Sequence, residues 1–527
     1  MSRGVEVSGF GAKLARMGFD RARLRFSIRT ALAAFAALVI ALWLGLEHPQ
    51  WAAMTVFASA QPTRDQLFQK SMNRLLGTLA GTAVGLGLLY AAGSSIWTLA
   101  IGLSLWVAIC TGLANLIRGF GSYGLVLMGY SAAMVALLGQ VDPSHPIALG
   151  LDRFLTSLVG VVIGILVGWL GAKNLSDDRA LGVTRRLLAD ILVAKVQRLG
   201  DQPPASADHL LSRAAILEDS LDPRSADAPR SANTRLILRQ LLASMAELIL
   251  ILDRCDEERP VEVASHLQAA AETMIAQSLI AAGLPALKAA REATTSPDLA
   301  RVLDTLMTDI RRRDEASFVP LPHVIEEAAL PQHRNWPEAQ RAAIRTFLVL
   351  MILGGFWAIT GWPEGSLLML GTSVMISVFS IFDNPAWIMI RVFMGQLGGA
   401  IAAIFCAWVL WPMAHNSWQM AALMLPLLMI TPFLFAHRKT APGAVDFAMV
   451  FLLLTQPIFP FDQTFDASIT RALAVVSGPL FAYLGFRAIF TDERRRVTML
   501  YQSILEGLSS LARNRHGRVD ASGWKGR

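Results

Sequence analysis

Apolar runs recur along this chain in two groups of six, with a long polar stretch between the groups. The first group lies near residues 27–46, 50–61, 75–92, 95–117, 120–139 and 147–171, and the second near 342–361, 366–382, 387–411, 418–436, 441–459 and 466–490. Most of these runs approach the roughly 20 apolar residues that a helix needs to cross a bilayer. The pattern therefore predicts twelve membrane-spanning helices and excludes a single soluble domain.

The charges of the loops predict an orientation. If the amino terminus is cytoplasmic, the outer loops contain no Lys or Arg, and the inner loops contain Arg64, Lys70, Arg74, Arg118, Arg391, Arg438 and Lys439. Basic residues are retained on the cytoplasmic side during insertion. The first run has no small-residue cleavage site, so we expect a retained helix rather than a signal peptide. The chain is predicted to be a multi-pass protein of the bacterial inner membrane with both termini in the cytoplasm.

The distribution of charge divides the chain into segments. Residues 172–340 hold 45 of the 87 charged residues, about 27% of their positions, whereas the remaining 358 residues are only about 12% charged. Leu and Ala recur there at helical spacing. We predict a basic segment 1–26, a first transmembrane repeat 27–171, a helical cytoplasmic domain 172–340, a second repeat 341–490 and a short tail 491–527.

The net charge of +7 belongs to the membrane flanks, which carry +12 against −5 in the middle segment. Basic loops beside apolar spans indicate contact with membrane lipids rather than nucleic acid. The sequence lacks the common motifs of P-loop ATPases, metalloproteases, zinc sites and hydrolases, namely Gly-Lys, His-Glu-x-x-His, Cys-x-x-Cys and Gly-x-Ser-x-Gly. We therefore expect neither an enzyme nor a cofactor or metal site, and a P-loop ATPase is excluded.

The two membrane groups align with each other as copies. An offset of 318 residues places Gly77 and Gly81 on Gly395 and Gly399, Gly160 on Gly478, and Arg153 on Arg471. Six spans per copy make both copies enter from the same side. The predicted fold is an all-α polytopic membrane protein with two parallel six-helix transmembrane repeats and an intervening helical cytoplasmic domain.

Several motifs resemble those of the fusaric acid resistance and aromatic acid exporter family. They are Arg74-Leu-Leu-Gly77-Thr-Leu-Ala-Gly81, Arg341-Ala-Ala-Ile-Arg345, Thr360-Gly-Trp-Pro363 and Asp383-Asn-Pro385. The layout of spans around a cytoplasmic domain also resembles this family. The resemblance implies an inner-membrane efflux protein that exports aromatic carboxylic acids, with a periplasmic membrane-fusion adaptor and an outer-membrane channel. The longer family members carry a second cytoplasmic domain, whereas about 37 residues follow the last span here.

Three functions remain open at this point. The first is a secondary exporter of small organic anions driven by the proton gradient, the second a passive anion channel, and the third a membrane scaffold that transports nothing. An exporter needs a group within the membrane that changes protonation, whereas a channel needs only fixed charge. Assembly into a homo-oligomer is left open.

The second span of each repeat is short and lies between prolines, a pattern that marks binding regions in transporters with repeats. The polar residues predicted to line the pathway there are Thr55, Ser59 and Gln61 in the first copy and Ser373 and Ser377 in the second. The alternative is that these hydroxyls bond back to their own helices.

Three ionisable residues are candidates for substrate and proton. Arg153 and Arg471 lie in the outer half of the sixth span of each copy. They are predicted to converge as an anion-selecting site, since arginine keeps its charge and binds carboxylates bidentately. The alternative is local pairing, of Arg153 with Asp152 and of Arg471 with Asp466. Asp446 is the proton-coupling candidate, and its alternative is pairing with Arg438 or Lys439.

The topology can be tested with a reporter fused at residue 225, in the middle segment. We expect cytoplasmic reporter activity, because basic residues flank this segment on its amino-terminal side. A periplasmic signal from this fusion would overturn the orientation of the whole chain.

Overall fold

The computed structural model describes residues 18–61, 64–117, 119–141, 145–171, 176–200, 207–221, 232–252, 260–316, 336–382 and 385–488. The regular structure in these ranges is helical, with an isolated β-bridge between Phe19 and His437. The chain forms two compact units, one of Met1–Ala172 with Leu330–Arg527 and the other of Lys173–Ala329. The predicted tail 491–527 lies outside the described residues.

The first membrane group forms six helices. They are α1 (Arg21–Trp43), α2 (Gln50–Ser59), α3 (Arg64–Ala92), α4 (Ile96–Leu116), α5 (Phe120–Val141) and α6 (Pro146–Gly171). Asp20 begins α1, since its Oδ1 accepts hydrogen bonds from the N–H groups of Ala22 and Arg23. Gly93 follows α3 with a φ of 55°, a conformation that permits the sharp turn into α4.

The middle unit is built from amphipathic helices. They are α7 (Ser176–Leu199), α8 (Ala207–Ser220), α9 (Ala232–Leu250), α10 (Pro260–Ala276), α11 (Leu284–Ala293) and α12 (Pro297–Ala316). Their apolar faces form one continuous hydrophobic core. Polar side chains buried beside this core have hydrogen-bond partners. Lys195 Nζ donates to the carbonyl oxygens of Ile251 and Leu252 at 3.0 and 3.3 Å, and Ser244 Oγ donates to Asp309 at 2.5 Å.

The second membrane group forms seven α-helices, because its fourth span is broken. They are α13 (Trp336–Thr360), α14 (Gly365–Val378), α15 (Pro385–Phe405), α16 (Ser417–Leu428), α17 (Ile430–Ala436), α18 (Ala441–Leu454) and α19 (Phe465–Ala488). Pro426 lies inside α16, two residues before that helix ends. That proline leaves the end of α16 intact, since the Met429 N–H still donates to the Leu425 carbonyl. Pro432, in the first turn of α17, lacks the N–H that would bond to the Leu428 carbonyl and crowds the preceding turn, which explains the break at Met429.

Nine helical stretches among the described residues are long and apolar enough to cross a membrane, counting α16 and α17 as one. The protein is therefore an all-α polytopic membrane protein. Each of the twelve predicted runs contains a helix, but α2, α14 and α18 are short. With 10 residues, α2 is only about 15 Å long and does not cross a hydrocarbon core of about 30 Å by itself.

The same helix pairs pack together in both membrane groups. In the first group α3 packs on α5, and α6 packs on both α2 and α3; in the second α15 packs on α18, and α19 packs on both α14 and α15. Contacts between the groups also occur in matched pairs. Helix α4 of the first group packs on α13 of the second, and the corresponding pair is α17 on α1. Likewise α5 packs on α14, and the corresponding pair is α18 on α2. This arrangement is the one expected of two equivalent halves.

Glycines allow the closest of these helix contacts. A Cβ atom built on Gly81 of α3 would lie 2.5 Å from the carbonyl oxygen of Met128 on α5, and one on Gly85 would lie 2.7 Å from that of Ala132. A Cβ on Gly160 of α6 would lie 2.6 Å from the Cβ of Thr55 on α2. Real side chains do not approach this closely, so helix separation at these points depends on glycine.

This dependence predicts that Gly81→Ala destabilises the folded protein by about 1–3 kcal/mol, the usual effect of an overpacked contact. The measurement is thermal unfolding of the full chain in detergent. Gly87→Ala is the matched control, because Gly87 lies on the same helix and a Cβ there would meet nothing within 4 Å. Equal melting temperatures for the two variants would contradict the prediction.

Candidate functional site

Two arginines are buried inside the first membrane group. Arg74 lies on α3 and Arg153 on α6, and each side chain is only 2% exposed. They are close enough to interact electrostatically with each other. Charged side chains inside a membrane protein are costly and usually mark a pathway for substrate or ions. We call the group formed by Arg74, Arg153, Thr55, Trp51, Tyr123 and Tyr130 the arginine centre.

Arg74 is held by neutral hydroxyl groups. Its Nη1 donates to the Tyr123 hydroxyl at 2.7 Å, and its Nη2 donates to Thr55 Oγ1 at 3.2 Å. Tyr130 also interacts with it electrostatically. Within the described part of the chain no carboxylate forms an ion pair with Arg74, and its Nε has no hydrogen-bond partner. The hydroxyls orient the guanidinium without neutralising its charge.

Arg153 keeps unused donors. Its Nε and Nη1 atoms are buried and have no hydrogen-bond partner, and its guanidinium carbon lies 5.3 Å from the centre of the Trp51 ring. The neighbouring carboxylate of Asp152 is engaged by the loop before α2. It accepts hydrogen bonds from the Glu47 N–H at 2.9 Å and lies 2.9 Å from His48 Nδ1. Asp152 therefore interacts with Arg153 electrostatically but does not form the local ion pair that the sequence left open as an alternative.

A cavity of about 290 Å³ opens at one end of the same unit. This end carries the loops 44–49, 361–364 and 455–464, and we call it the outer end after the predicted orientation. The walls of the cavity include Trp51, Glu364, Ser366, Phe461 and Arg471. We call it the outer cavity.

Arg471 faces the outer cavity rather than the arginine centre. Its side chain is 40% exposed, and its Nε lies 3.6 Å from Glu364 Oε1. The structure therefore separates Arg471 from Arg153, whereas the sequence predicted that they converge. The local partner of Arg471 is Glu364 and not Asp466. Trp51 connects the two sites, because its ring lies against Arg153 and also lines the outer cavity.

Most of the predicted pathway hydroxyls bond to their own helices. Ser59 Oγ donates to the Thr55 carbonyl at 2.7 Å, Ser373 Oγ to that of Leu370 at 2.7 Å, and Ser377 Oγ to that of Ser373 at 2.5 Å. This is the alternative that the sequence left open. Thr55 differs, since its side-chain oxygen accepts from Arg74. Gln61 lines a separate cavity of only about 20 Å³, the size of a water site.

Asp446 lies in the first half of α18, beside the side-chain amide of Gln396 on α15. Gln396 is itself buried, and its Nε2 lies 3.3 Å from Met375 Sδ. Neither Arg438 nor Lys439 forms an ion pair with Asp446 among the residues that the structure describes. The Asp446 carboxylate therefore lies beside a neutral amide rather than beside a basic side chain.

Sequence reasoning misplaced one residue of the arginine centre. Arg74 was predicted to lie in an inner loop, which is wrong because α3 begins ten residues earlier, at Arg64. The spacing of two tyrosines could have indicated the partners of Arg74. The chain contains only 5 tyrosines, and Tyr123 and Tyr130 are seven residues apart on α5, which places them on one helix face.

A bundle of membrane-capable helices that buries Arg74, Arg153 and Arg345 and encloses a cavity is typical of a membrane transport protein. The model of the Fusaric acid resistance protein family matches residues 23–527. The chain belongs to this family, and the resemblance seen in the sequence is confirmed.

Individual relatives agree with this assignment. An uncharacterized transporter of Gluconobacter oxydans is 26% identical over 561 residues, covering 93% of this chain and 73% of the relative. The p-hydroxybenzoic acid efflux pump subunit AaeB of Edwardsiella ictaluri is 24% identical, covering 85% and 74% respectively. AaeB of Shigella sonnei is 23% identical, covering 93% and 79%. All three names describe transporters, and those of the two AaeB relatives describe efflux pump subunits.

Proposed function

We propose that this protein exports organic anions, and aromatic carboxylates in particular, across the bacterial inner membrane. The observation that carries the proposal is the arginine centre. Arg153 has two buried donors without partners, and Arg74 beside it is balanced only by hydroxyls. A carboxylate entering the centre would supply the missing acceptors and the missing negative charge.

The substrate class follows from the surroundings and from the relatives. The Trp51 ring lies beside the charged group, with His48 stacked on it, so the centre combines a permanent positive charge with an apolar aromatic neighbour, a combination that suits an aromatic carboxylate. The relatives named as efflux pump subunits are named for p-hydroxybenzoic acid. We extend this class of substrate to the present chain.

The pathway is proposed to lie between two parallel repeats. The matched helix pairs of the two membrane groups support this arrangement, because exchanging the groups reproduces the contacts between them. The loop charges support a cytoplasmic position for both termini and for the middle domain. A periplasmic adaptor is proposed as partner, since related proteins are named as subunits of a pump.

A passive anion channel is the second candidate. It is favoured by the permanent charge of the arginine centre, which alone suffices to select anions. Asp446 favours the exporter, because a carboxylate beside a neutral amide inside the bundle can gain and lose a proton during transport. A scaffold without transport would not need the unpartnered donors of Arg153.

The role of the arginine centre is tested by Arg153→Gln. We expect export of 4-hydroxybenzoate from cells to fall about tenfold or more, because hydrogen bonds to a charged group contribute about 1.5–3 kcal/mol. Arg153→Lys should restore only part of the rate, since a lysine keeps the charge but loses the planar fork. The measurement is export normalised to the amount of protein in the membrane.

Arg487→Gln is the matched control for this experiment. Arg487 also donates to a tyrosine, the Tyr483 hydroxyl at 2.7 Å, but it does so at the exposed end of α19. Its replacement should leave export unchanged. Normal export by Arg153→Gln at normal membrane levels would show that Arg153 is structural and would refute the proposal.

Proton coupling is tested by Asp446→Asn in proteoliposomes. A proton gradient should drive concentrative movement of benzoate by the original protein and not by the variant, whereas benzoate exchange without a gradient should persist in both. Asp466→Asn, an exposed carboxylate on α19, is the control. If the Asp446→Asn variant still accumulates benzoate against its gradient, Asp446 does not couple transport to protons. If the original protein does not accumulate benzoate either, the passive channel is favoured.

A further inference from the structure

Two of the short helices, α2 and α14, begin at the outer cavity. Gln50 and Trp51 at the start of α2, and Ser366 and Leu367 at the start of α14, all contribute to its walls. The first N–H groups of a helix lack acceptors within the helix and carry partial positive charge. The preceding residues Pro49 and Glu364 provide no side-chain cap at either helix. At α2 the N–H groups of Trp51 and Ala52 donate to the carbonyl oxygens of His48 and Pro49. At α14 the N–H groups of Ser366 and Leu367 have no backbone acceptor in the described part of the chain, so the start of this helix contributes partial positive charge to the cavity wall.

Two buried polar atoms in the same walls lack partners. Ser366 is 1% exposed and its Oγ has no hydrogen-bond partner, and Gln50 is 2% exposed and its Oε1 has none. A buried hydroxyl without an acceptor is costly unless a ligand or an ordered water completes it. The Ser366 hydroxyl can donate to a ligand carboxylate, whereas Gln50 Oε1 is an acceptor and would be completed by a water that donates. The Ser366 hydroxyl is independent of the helix ends, and it also indicates a ligand in the cavity.

A carboxylate of the chain already faces the cationic wall. Glu364 Oε1 lies 3.6 Å from Arg471 Nε, and the Glu364 side chain is 15% exposed. Bidentate pairs between arginine and a carboxylate are shorter, at about 2.7–2.9 Å. The loose contact leaves the other donors of Arg471 available. Glu364 thus occupies the position that a ligand carboxylate would take, with poorer geometry.

Aromatic side chains form another part of the wall. Trp51 is fixed by stacking on His48, with ring centres 4.1 Å apart, and Phe461 packs edge-on against Trp411 at 5.2 Å. The volume of about 290 Å³ lies near the lower end of the range of ligand pockets, which begins at about 300 Å³. These dimensions suit a single ring rather than a large ligand.

We propose that the outer cavity is a second binding site, which takes an aromatic monocarboxylate on the exit side, and that Glu364 is an internal competitor displaced from Arg471 by the ligand. The inference rests on the proposed function but concerns a different site from the arginine centre. Trp51 lies between the two sites, so an anion leaving Arg153 would pass its ring to reach Arg471.

The experiment measures benzoate binding to the purified full-length protein by titration calorimetry. All variants carry Arg153→Gln, which removes the two unpartnered Arg153 donors of the arginine centre and therefore separates this test from that of the transport function. In this background Glu364→Gln should tighten binding about tenfold, since removing the competitor raises the fraction of sites that are free. Arg471→Gln should weaken binding beyond detection, and Ser366→Ala should weaken it severalfold.

Two controls make the outcome decisive. Asp466→Asn removes an exposed carboxylate from the same end of α19 and should leave benzoate affinity unchanged. Cyclohexanecarboxylate carries the same charge without an aromatic ring and should bind more weakly than benzoate. If Arg471→Gln fails to fold, Arg471→Lys should fold and bind with reduced affinity.

Affinities that do not respond to Glu364→Gln and to the Arg471 variants would overturn the proposal, even if Arg153→Gln abolishes export. Equal binding of cyclohexanecarboxylate and benzoate would overturn the aromatic preference. An equal effect of Asp466→Asn and Glu364→Gln would show only a general influence of surface charge and would also reject the internal competitor.

Discussion

The burial of positive charge without a matching negative charge is the constraint on which this structure depends. Arginine does not lose its proton in a protein, so Arg74 and Arg153 remain cationic although both are almost fully buried. On insertion scales each such residue costs about 2.5–3.5 kcal/mol at the middle of a helix. The protein offsets part of this cost with tyrosine and threonine hydroxyls and with the face of Trp51. Neutral partners leave the centre attractive to an anion, which a glutamate or aspartate would not.

Close helix packing places these partners. Helix α3 approaches α5 at Gly81 and Gly85, and this contact sets Arg74 against Tyr123. Helix α6 approaches α2 at Gly160, beside Thr55, whose hydroxyl accepts from Arg74. The glycines are therefore packing residues, and the packing they allow also assembles the arginine centre. A larger side chain at one of them would move the hydrogen-bond partners as well as the helices.

The two halves share their packing but not their chemistry. At the offset of 318 residues, Arg74 corresponds to Val392, and Tyr123 and Tyr130 correspond to Ala441 and Ala448. The second half contains Asp446 and Gln396 instead. Two halves with matched helix packing can thus hold a permanent cationic group in one half and a carboxylate in the other. An anion could bind in one half while a proton binds in the other, which is the arrangement that the proposed proton-coupled exporter needs.

The sequence by itself determined the helical class, the location of the twelve apolar segments and the family, and it proposed Arg153 as a site residue. These follow from local properties, namely the length of apolar runs, the residues that flank them and the order of motifs. Only the tertiary structure decided that Arg74 belongs to the site, that Ser59, Ser373 and Ser377 bond to their own helices, and that Arg471 pairs with Glu364 in a separate cavity. The physical reason is that a side chain's partner across a helix contact depends on the rotation and separation of both helices. A pattern along one helix leaves these quantities open, and here they are set by glycine contacts between segments distant in the chain.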